Sequence, residues 1–170
     1  TNPVMDVEPE DIIPYCKSGK FAHMKIYEVP ELLCKMRDYS GNALTRIAME
    51  LLALTFVRTG ELIQARWSEI DWENNAWLIP EEHMKMKRPH IVPLSTQATA
   101  LLERLHSISD ESGWLFPDYR GKQGTMSKNT ILCALERMGY HKRMTGHGWR
   151  YIASTYLRSK GYDKFMVELQ

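Results

Sequence analysis

Hydrophobic residues recur at helical spacing in several segments of the chain. The clearest pattern runs i, i+3, i+4, i+7, i+8 and predicts a central core helix, with Leu54, Thr55 and Phe56 widening its buried stripe. A shorter helix is predicted from Val29, with Pro30 near its start and Ser40-Gly41 at its end. The stripe of the central helix is formed by Leu44, Ile47, Ala48, Leu51 and Leu52, and that of the shorter helix by Leu32, Leu33 and Met36.

Further helices are predicted in the rest of the chain. A short one, ELIQARW, follows Thr59-Gly60, and Ser127 is a candidate N-cap for another. Thr145 is a plausible N-cap for HGWRYIASTYLRSK, which ends at Gly161, and DKFMVELQ begins one more helix. Helical stripes are also formed by Ala98, Leu101, Leu102 and Leu105, and by Ile131, Leu132, Leu135 and Met138.

Between these helices the pattern changes to that of strands. Asn74-Asn75 separates Ile70 and Trp72 from Trp77 and Ile79, as a hairpin turn does. A second extended pair is predicted in EEHMKMKRPHIVPL, with a basic tip at Lys85, Lys87 and Arg88. The predicted fold is therefore mainly α with a small antiparallel β-sheet of three or four strands, an α+β arrangement.

Length and composition fit one globular domain. The chain has 170 residues with 44% hydrophobic content, and residues 1 to 24 carry three prolines and no sustained period. We therefore expect a linker over residues 1–24 and a folded domain over residues 25–170. The three cysteines form no C-x-x-C pair, and no stretch resembles a signal peptide or a membrane span, so a reducing cytoplasm is expected.

The formal net charge of +1 hides an uneven distribution of charge. Residues 1–82 hold 8 Lys and Arg against 14 Asp and Glu, whereas residues 83–170 hold 14 against 7. The second half therefore has enough positive charge for a basic face, although scatter over one solvated surface explains the counts equally well.

Several kinds of chemistry have no support in the sequence. It contains no H-E-x-x-H, G-x-x-x-x-G-K-[ST], G-x-G-x-x-G or G-x-S-x-G motif. The six histidines lack thiolate or carboxylate partners at ligand spacing. We expect neither a metal nor another cofactor.

Basic residues instead stand at unusual positions. Arg58 closes an apolar helix and has Glu61 three residues later, which either orients the guanidinium or forms an ordinary surface ion pair. His147 and Arg150 lie three apart, so on a helix they share one face and can point at one anion. Lys85 lies at the predicted hairpin tip, where lysines are common for solubility alone.

Taken together, these segments resemble the catalytic domain of tyrosine recombinases. The phrases LTFVRTGEL, ARWSEIDW, MKMKRPHIVPLS and RMTGHGWR are similar to those of prophage and genomic-island integrases, and the likeness runs from about Glu28 to Gln170. It implies cleavage and rejoining of double-stranded DNA attachment sites through a 3′-phosphotyrosine, with no metal or cofactor. It also implies that the parent protein forms a homotetramer on DNA in the bacterial cytoplasm, with accessory DNA-bending or directionality proteins as further partners and no membrane.

The resemblance assigns roles residue by residue. Arg58 and Arg150 match the two arginines that bind the phosphate, and His147 matches the histidine beside them. Glu61 matches the acidic residue that supports the first arginine. Lys85 matches the hairpin lysine that protonates the leaving 5′-oxygen, although a slip of the hairpin register would exchange it with Lys87.

The family's nucleophilic tyrosine has no match in this chain. The family places it on later helices than the H-x-x-R arginine, and Tyr151, Tyr156 and Tyr162 come too early. We therefore expect a catalytic domain that is incomplete at its C-terminus and inactive by itself, preceded by a linker from a missing N-terminal DNA-binding region. Two alternatives remain: a noncatalytic DNA-binding or regulatory module with the same fold, and an enzyme similar to type IB topoisomerases.

Overall fold

The computed structural model describes residues 22–84, 88–109, 112–118 and 124–164, together with Val167. Most of the predicted linker, the hairpin tip from Lys85 to Lys87, and most of DKFMVELQ lie outside the described residues. Within the last segment, the Val167 amide donates to the Asp163 carbonyl at 3.1 Å, as in one turn of an α-helix.

Six helices and three strands make up the described fold. They come in the order α1 and α2, a short α3, the strands β1 to β3, and then α4 to α6. Single 3-10 turns cover Ile26–Glu28, Trp67–Glu69 and Glu81–His83. The helices are α1 (Val29–Arg37), α2 (Ala43–Thr55), α3 (Thr59–Ile63), α4 (Thr96–His106), α5 (Lys128–Arg137) and α6 (Gly148–Ser159), and the strands are β1 (Ile70–Asp71), β2 (Ala76–Ile79) and β3 (His90–Pro93).

Helix α2 lies at the centre of the core, as its periodicity predicts. Asn42 caps its start by accepting a hydrogen bond from the Leu44 amide at 2.7 Å. The helix packs against α1, α3, α4 and α5. Its buried stripe includes Ile47, Ala48, Leu51 and Leu52, each at most 1% exposed. The predicted widening at Leu54 is wrong, because that side chain is 38% exposed.

The three strands form one antiparallel sheet in the order β1-β2-β3. Asn75 takes a left-handed conformation with φ of 48° in the turn between β1 and β2, which confirms the hairpin at Asn74-Asn75. The second extended pair differs from the prediction. Glu81–His83 forms a 3-10 turn, so β3 pairs with β2 itself.

Two helix boundaries and one predicted buried position also differ from the sequence pattern. Helix α3 includes Thr59 and Gly60 and ends at Ile63, so it is shorter than ELIQARW. Helix α5 is capped by Ser127 as predicted, but Leu132 is 36% exposed. Helix α6 begins at Gly148, because His147, rather than Thr145, occupies the N-cap position.

Candidate phosphate-binding site

Arg58 follows a sharp change of chain direction at the end of α2. Phe56 takes a left-handed conformation with φ of 56°, and its amide still donates to the Leu52 carbonyl at 3.0 Å. Arg58 is then extended and forms the N-cap of α3. The turn between the two helices therefore brings the Arg58 side chain to the protein surface, where it is 34% exposed.

Glu61 holds Arg58 through two hydrogen bonds. One carboxylate oxygen accepts from Arg58 Nη1 at 2.5 Å, and the other accepts from the Arg58 main-chain amide at 2.8 Å. The Glu61 side chain is only 3% exposed. A buried carboxylate bonded at both points fixes the direction of the guanidinium, which favours the orienting role over an ordinary surface ion pair.

The second arginine reaches the same turn from α6. Arg150 Nη1 donates a hydrogen bond to the Phe56 carbonyl at 2.8 Å, although 94 positions separate the two residues. His147 precedes Arg150 by three positions as the N-cap residue of α6. Thr145 still contributes to the helix start, because its Oγ1 accepts from the Gly148 amide at 3.2 Å.

Two glycines permit the close packing of this helix start. A Cβ at Gly146 would collide with Thr59 Oγ1, at the beginning of α3. A Cβ at Gly148 would lie 2.8 Å from the Ala22 carbonyl oxygen and 2.9 Å from the Met144 sulfur. The T-G-H-G sequence therefore allows α6 to approach α3 closely enough to place the two arginines at one site.

Burial and neighbouring charges at the site disfavour the positively charged forms of Arg150 and His147. Burial, with the charge of Arg58, lowers the pKa of Arg150, and Glu61 opposes this effect. Burial, followed by the charges of Arg150 and Arg58, also lowers the pKa of His147. An anion bound here would relieve the repulsion between the two guanidinium groups, so the site is suited to a phosphate.

His90, at the start of β3, also belongs to this electrostatic environment. Burial lowers its pKa, Glu61 raises it, and Arg150 and Arg58 lower it further. The sequence analysis did not single out His90 as a site residue. The signal available in the sequence was the spacing of two between His90 and the core residue Val92, which puts both on the same face of a strand.

The remaining predicted residues have a mixed outcome. Lys85 and Lys87 lie outside the described residues, so their assignment stays a prediction.

Tyr151 is 38% exposed and lines a cavity of about 260 Å³ together with Phe56, His147 and Arg150. Tyr156 and Tyr162 are 43% and 60% exposed. Among the described residues, no group of three or more His, Cys, Asp and Glu is arranged to hold a metal ion.

The structure is thus a helical domain with a small antiparallel sheet, in which Arg58 and Arg150 act on the same two histidines, His90 and His147. Residues 23–169 match the model of the phage integrase family. The chain belongs to that family.

Curated relatives and solved structures are consistent with this membership. The chain is 37% identical to an integrase of Enterobacteria phage P4, covering 95% of this chain and 39% of the relative. It is 39% identical to the prophage integrase IntZ of Escherichia coli strain K12, covering 99% of this chain and 41% of the relative. The chain thus spans about two fifths of the length of these relatives.

The fold is that of solved recombinases. The Tn1549 transposon integrase in complex with circular intermediate DNA aligns with a TM-score of 0.72 at 15% identity, over 96% of this chain and 61% of that one. A lambda integrase dimer bound to a core site aligns with a TM-score of 0.65 at 19% identity, over 87% of this chain and 44% of that one. No helix in the described ranges is long and apolar enough to cross a membrane.

Proposed function

We propose that the parent protein is a site-specific DNA recombinase, an integrase that cleaves and rejoins double-stranded DNA to insert or excise a mobile element. In this proposal the present chain supplies the phosphate-binding half of the active site. The observation that carries it is the convergence of Arg58 and Arg150 on the turn at Phe56, with Glu61 fixing the first guanidinium.

The chemistry follows from where charge develops. When a tyrosine hydroxyl attacks the scissile phosphorus, negative charge grows on the nonbridging oxygens, and Arg58 and Arg150 stabilise it with hydrogen bonds and charge. The P–O5′ bond breaks as the P–O bond to tyrosine forms. Lys85 donates a proton to the departing 5′-oxygen, and the tyrosine proton leaves to a base.

His147 has the properties of such a base. Its lowered pKa keeps the imidazole neutral near neutral pH, so it can accept a proton or donate a hydrogen bond to the phosphate. The resulting 3′-phosphotyrosine conserves the energy of the phosphodiester, and attack by a 5′-hydroxyl rejoins the strand without ATP. We infer that the nucleophilic tyrosine is supplied by residues outside this chain, which spans about two fifths of the length of its relatives.

The proposal extends to how the parent protein assembles on DNA. The solved neighbours include recombinases in complex with DNA, which supports duplex DNA as the partner of the parent protein. We infer a homotetramer on two attachment sites, joined by DNA-bending or directionality proteins, in the bacterial cytoplasm.

The test uses the full-length parent and a nicked duplex that carries the junction between the encoding element and its host chromosome. A denaturant-resistant protein–DNA adduct is expected, with mass spectrometry of peptides locating the modified tyrosine beyond Gln170. Arg58→Ala and Arg150→Ala should abolish the adduct, whereas Arg104→Ala, which removes an exposed arginine from α4, should retain it.

Other outcomes would support the alternatives. DNA binding without any adduct would favour a noncatalytic module. An adduct accompanied by relaxation of supercoiled DNA, with no strand exchange, would favour a topoisomerase. An adduct on Tyr151, Tyr156 or Tyr162 would show that this chain contains its own nucleophile.

A further inference from the structure

One face of the sheet is buried and the other is exposed, and the pairing of the strands shows on which face His90 lies. The cross-strand pair Trp77 and Val92 is buried, whereas the next pair, Leu78 and Ile91, is 44% and 63% exposed. His90 pairs with Ile79, which is 1% exposed. Because directly opposed residues share a face, His90 lies on the core side of the sheet.

The electrostatic environment of His90 connects this end of β3 with the phosphate-binding site. His90 is half-buried, and the charges of Glu61, Arg150 and Arg58 all act on it. The same three charges act on His147, at the start of α6. The arginine pair therefore acts on one histidine at the start of a helix and on another at the start of a strand.

We propose that His90 is a second histidine of the phosphate site, which donates a hydrogen bond from the sheet side to a nonbridging oxygen of the DNA phosphodiester held by Arg58 and Arg150. This inference rests on the proposed function, since it assumes that the bound anion is a DNA phosphate. It adds a residue from the sheet to a site that the arginines build from helices α3 and α6.

The protonation state of His90 suits this role. Burial, together with the two arginines, lowers its pKa despite the opposing effect of Glu61, so the free imidazole is neutral near neutral pH and carries one N–H donor. A bound phosphate adds negative charge beside the ring and favours the imidazolium form. Phosphate binding therefore strengthens the hydrogen bond and raises the pKa of His90.

The first test compares two substrates with the full-length protein. One is the nicked duplex described above, and the other carries a methylphosphonate at the scissile position, with its two diastereomers separated. His90→Leu should slow adduct formation on the ordinary duplex by about 10- to 100-fold, as expected for loss of one donor to a developing oxyanion. The variant should differ little from wild type on the diastereomer whose methyl group replaces the oxygen bound by His90.

Two further variants separate a contact with phosphate from a structural effect. His90→Gln retains an N–H donor and should recover much of the rate. His141→Leu removes an exposed histidine whose side chain is 61% accessible and should leave the rate unchanged. A histidine that only supports the fold would slow both diastereomers and the ordinary duplex equally, and that result would overturn the inference.

A measurement on the wild-type protein does not depend on any variant folding. The imidazole resonances of His90 are titrated by NMR with and without an intact duplex of the same sequence. A higher pKa in the complex is expected, and an unchanged pKa would refute the contact.

The outcomes for His90 and for the proposed function can be told apart. If wild type forms the adduct while His90→Leu matches it on every substrate, only the role of His90 fails. If wild type forms no adduct on the ordinary duplex, the proposed function fails and the inference fails with it.

Discussion

Arg150 donates a hydrogen bond from Nη1 to the main-chain carbonyl of Phe56 at 2.8 Å. Phe56 lies two residues before Arg58, in a left-handed conformation that ends α2. The second arginine therefore supports the turn that positions the first. This contact links the start of α6 to the end of α2, so disturbing either arginine is expected to affect both.

Replacing Arg150 with alanine should weaken DNA binding and also reduce stability. Loss of a charge-assisted hydrogen bond to the Phe56 carbonyl is expected to lower the free energy of unfolding by about 1–2 kcal/mol. Urea denaturation of the present chain measures the stability change, and DNA affinity across salt concentrations measures the loss of a phosphate contact, which should make the salt dependence shallower. Unchanged stability and unchanged affinity would contradict both roles.

Substituting Gly146 with alanine should push α6 away from α3. The new Cβ would collide with Thr59 Oγ1, and overpacking of this kind costs about 1–3 kcal/mol. The double variant Gly146→Ala with Thr59→Ala should recover most of the stability, because the Thr59 Cβ lies 3.5 Å from the added atom, which is ordinary contact. Thermal unfolding of the single and double variants tests this. If the double variant is no more stable than Gly146→Ala, the contact with Thr59 is not the cause of the destabilisation.

Glu61 should matter to stability as well as to the site. Its carboxylate is 3% exposed and accepts from both the guanidinium and the main-chain amide of Arg58. Glu61→Ala removes both acceptors, and we expect a loss of about 2–3 kcal/mol, below the cost of breaking a fully buried pair because Arg58 is partly exposed. Glu61→Gln keeps one acceptor and should lose less. Equal stability of the two variants in urea denaturation would contradict this ranking.

Trp77 should contribute through its indole N–H as well as its packing. Its Nε1 donates to Glu69 Oε2 at 3.0 Å, and both side chains are buried. Trp77→Phe leaves that carboxylate oxygen without its donor and creates a small void, for an expected loss of about 2–4 kcal/mol. Trp72→Phe, at a tryptophan that is 41% exposed, is the matched control and should have little effect on chemical denaturation.

Stability should increase with pH across the titration of His90 and His147. Each has a pKa lowered from its usual 6.5, so the unfolded chain binds more protons than the folded one between the lowered values and 6.5. Stability is therefore reduced below the lowered pKa values, rises with pH through this window, and no longer changes from these groups above it. Urea denaturation from pH 5 to pH 8 measures the slope, which should flatten in His147→Asn and His90→Asn.

Some interpretations of the sequence were wrong for identifiable reasons. Leu54 and Leu132 fit helical stripes, but their side chains are 38% and 36% exposed, because a local pattern does not show how far neighbouring elements extend over a helix. The segment EEH is predicted to be extended and to pair with HIVPL, but it forms a 3-10 turn. The partner of β3 is instead β2. A local pattern cannot show which strand is already paired.

The sequence by itself determined the helices around the core, the hairpin at Asn74-Asn75 and the family, because periodicity, turn residues and short motifs are local properties of the chain. Only the tertiary structure decided that Arg150 reaches the Phe56 carbonyl, that Gly146 faces Thr59 and that His90 shares the environment of both arginines. These relationships join residues far apart in the chain. They depend on how α2, α3, α6 and the sheet pack together, which spacing along the sequence does not specify.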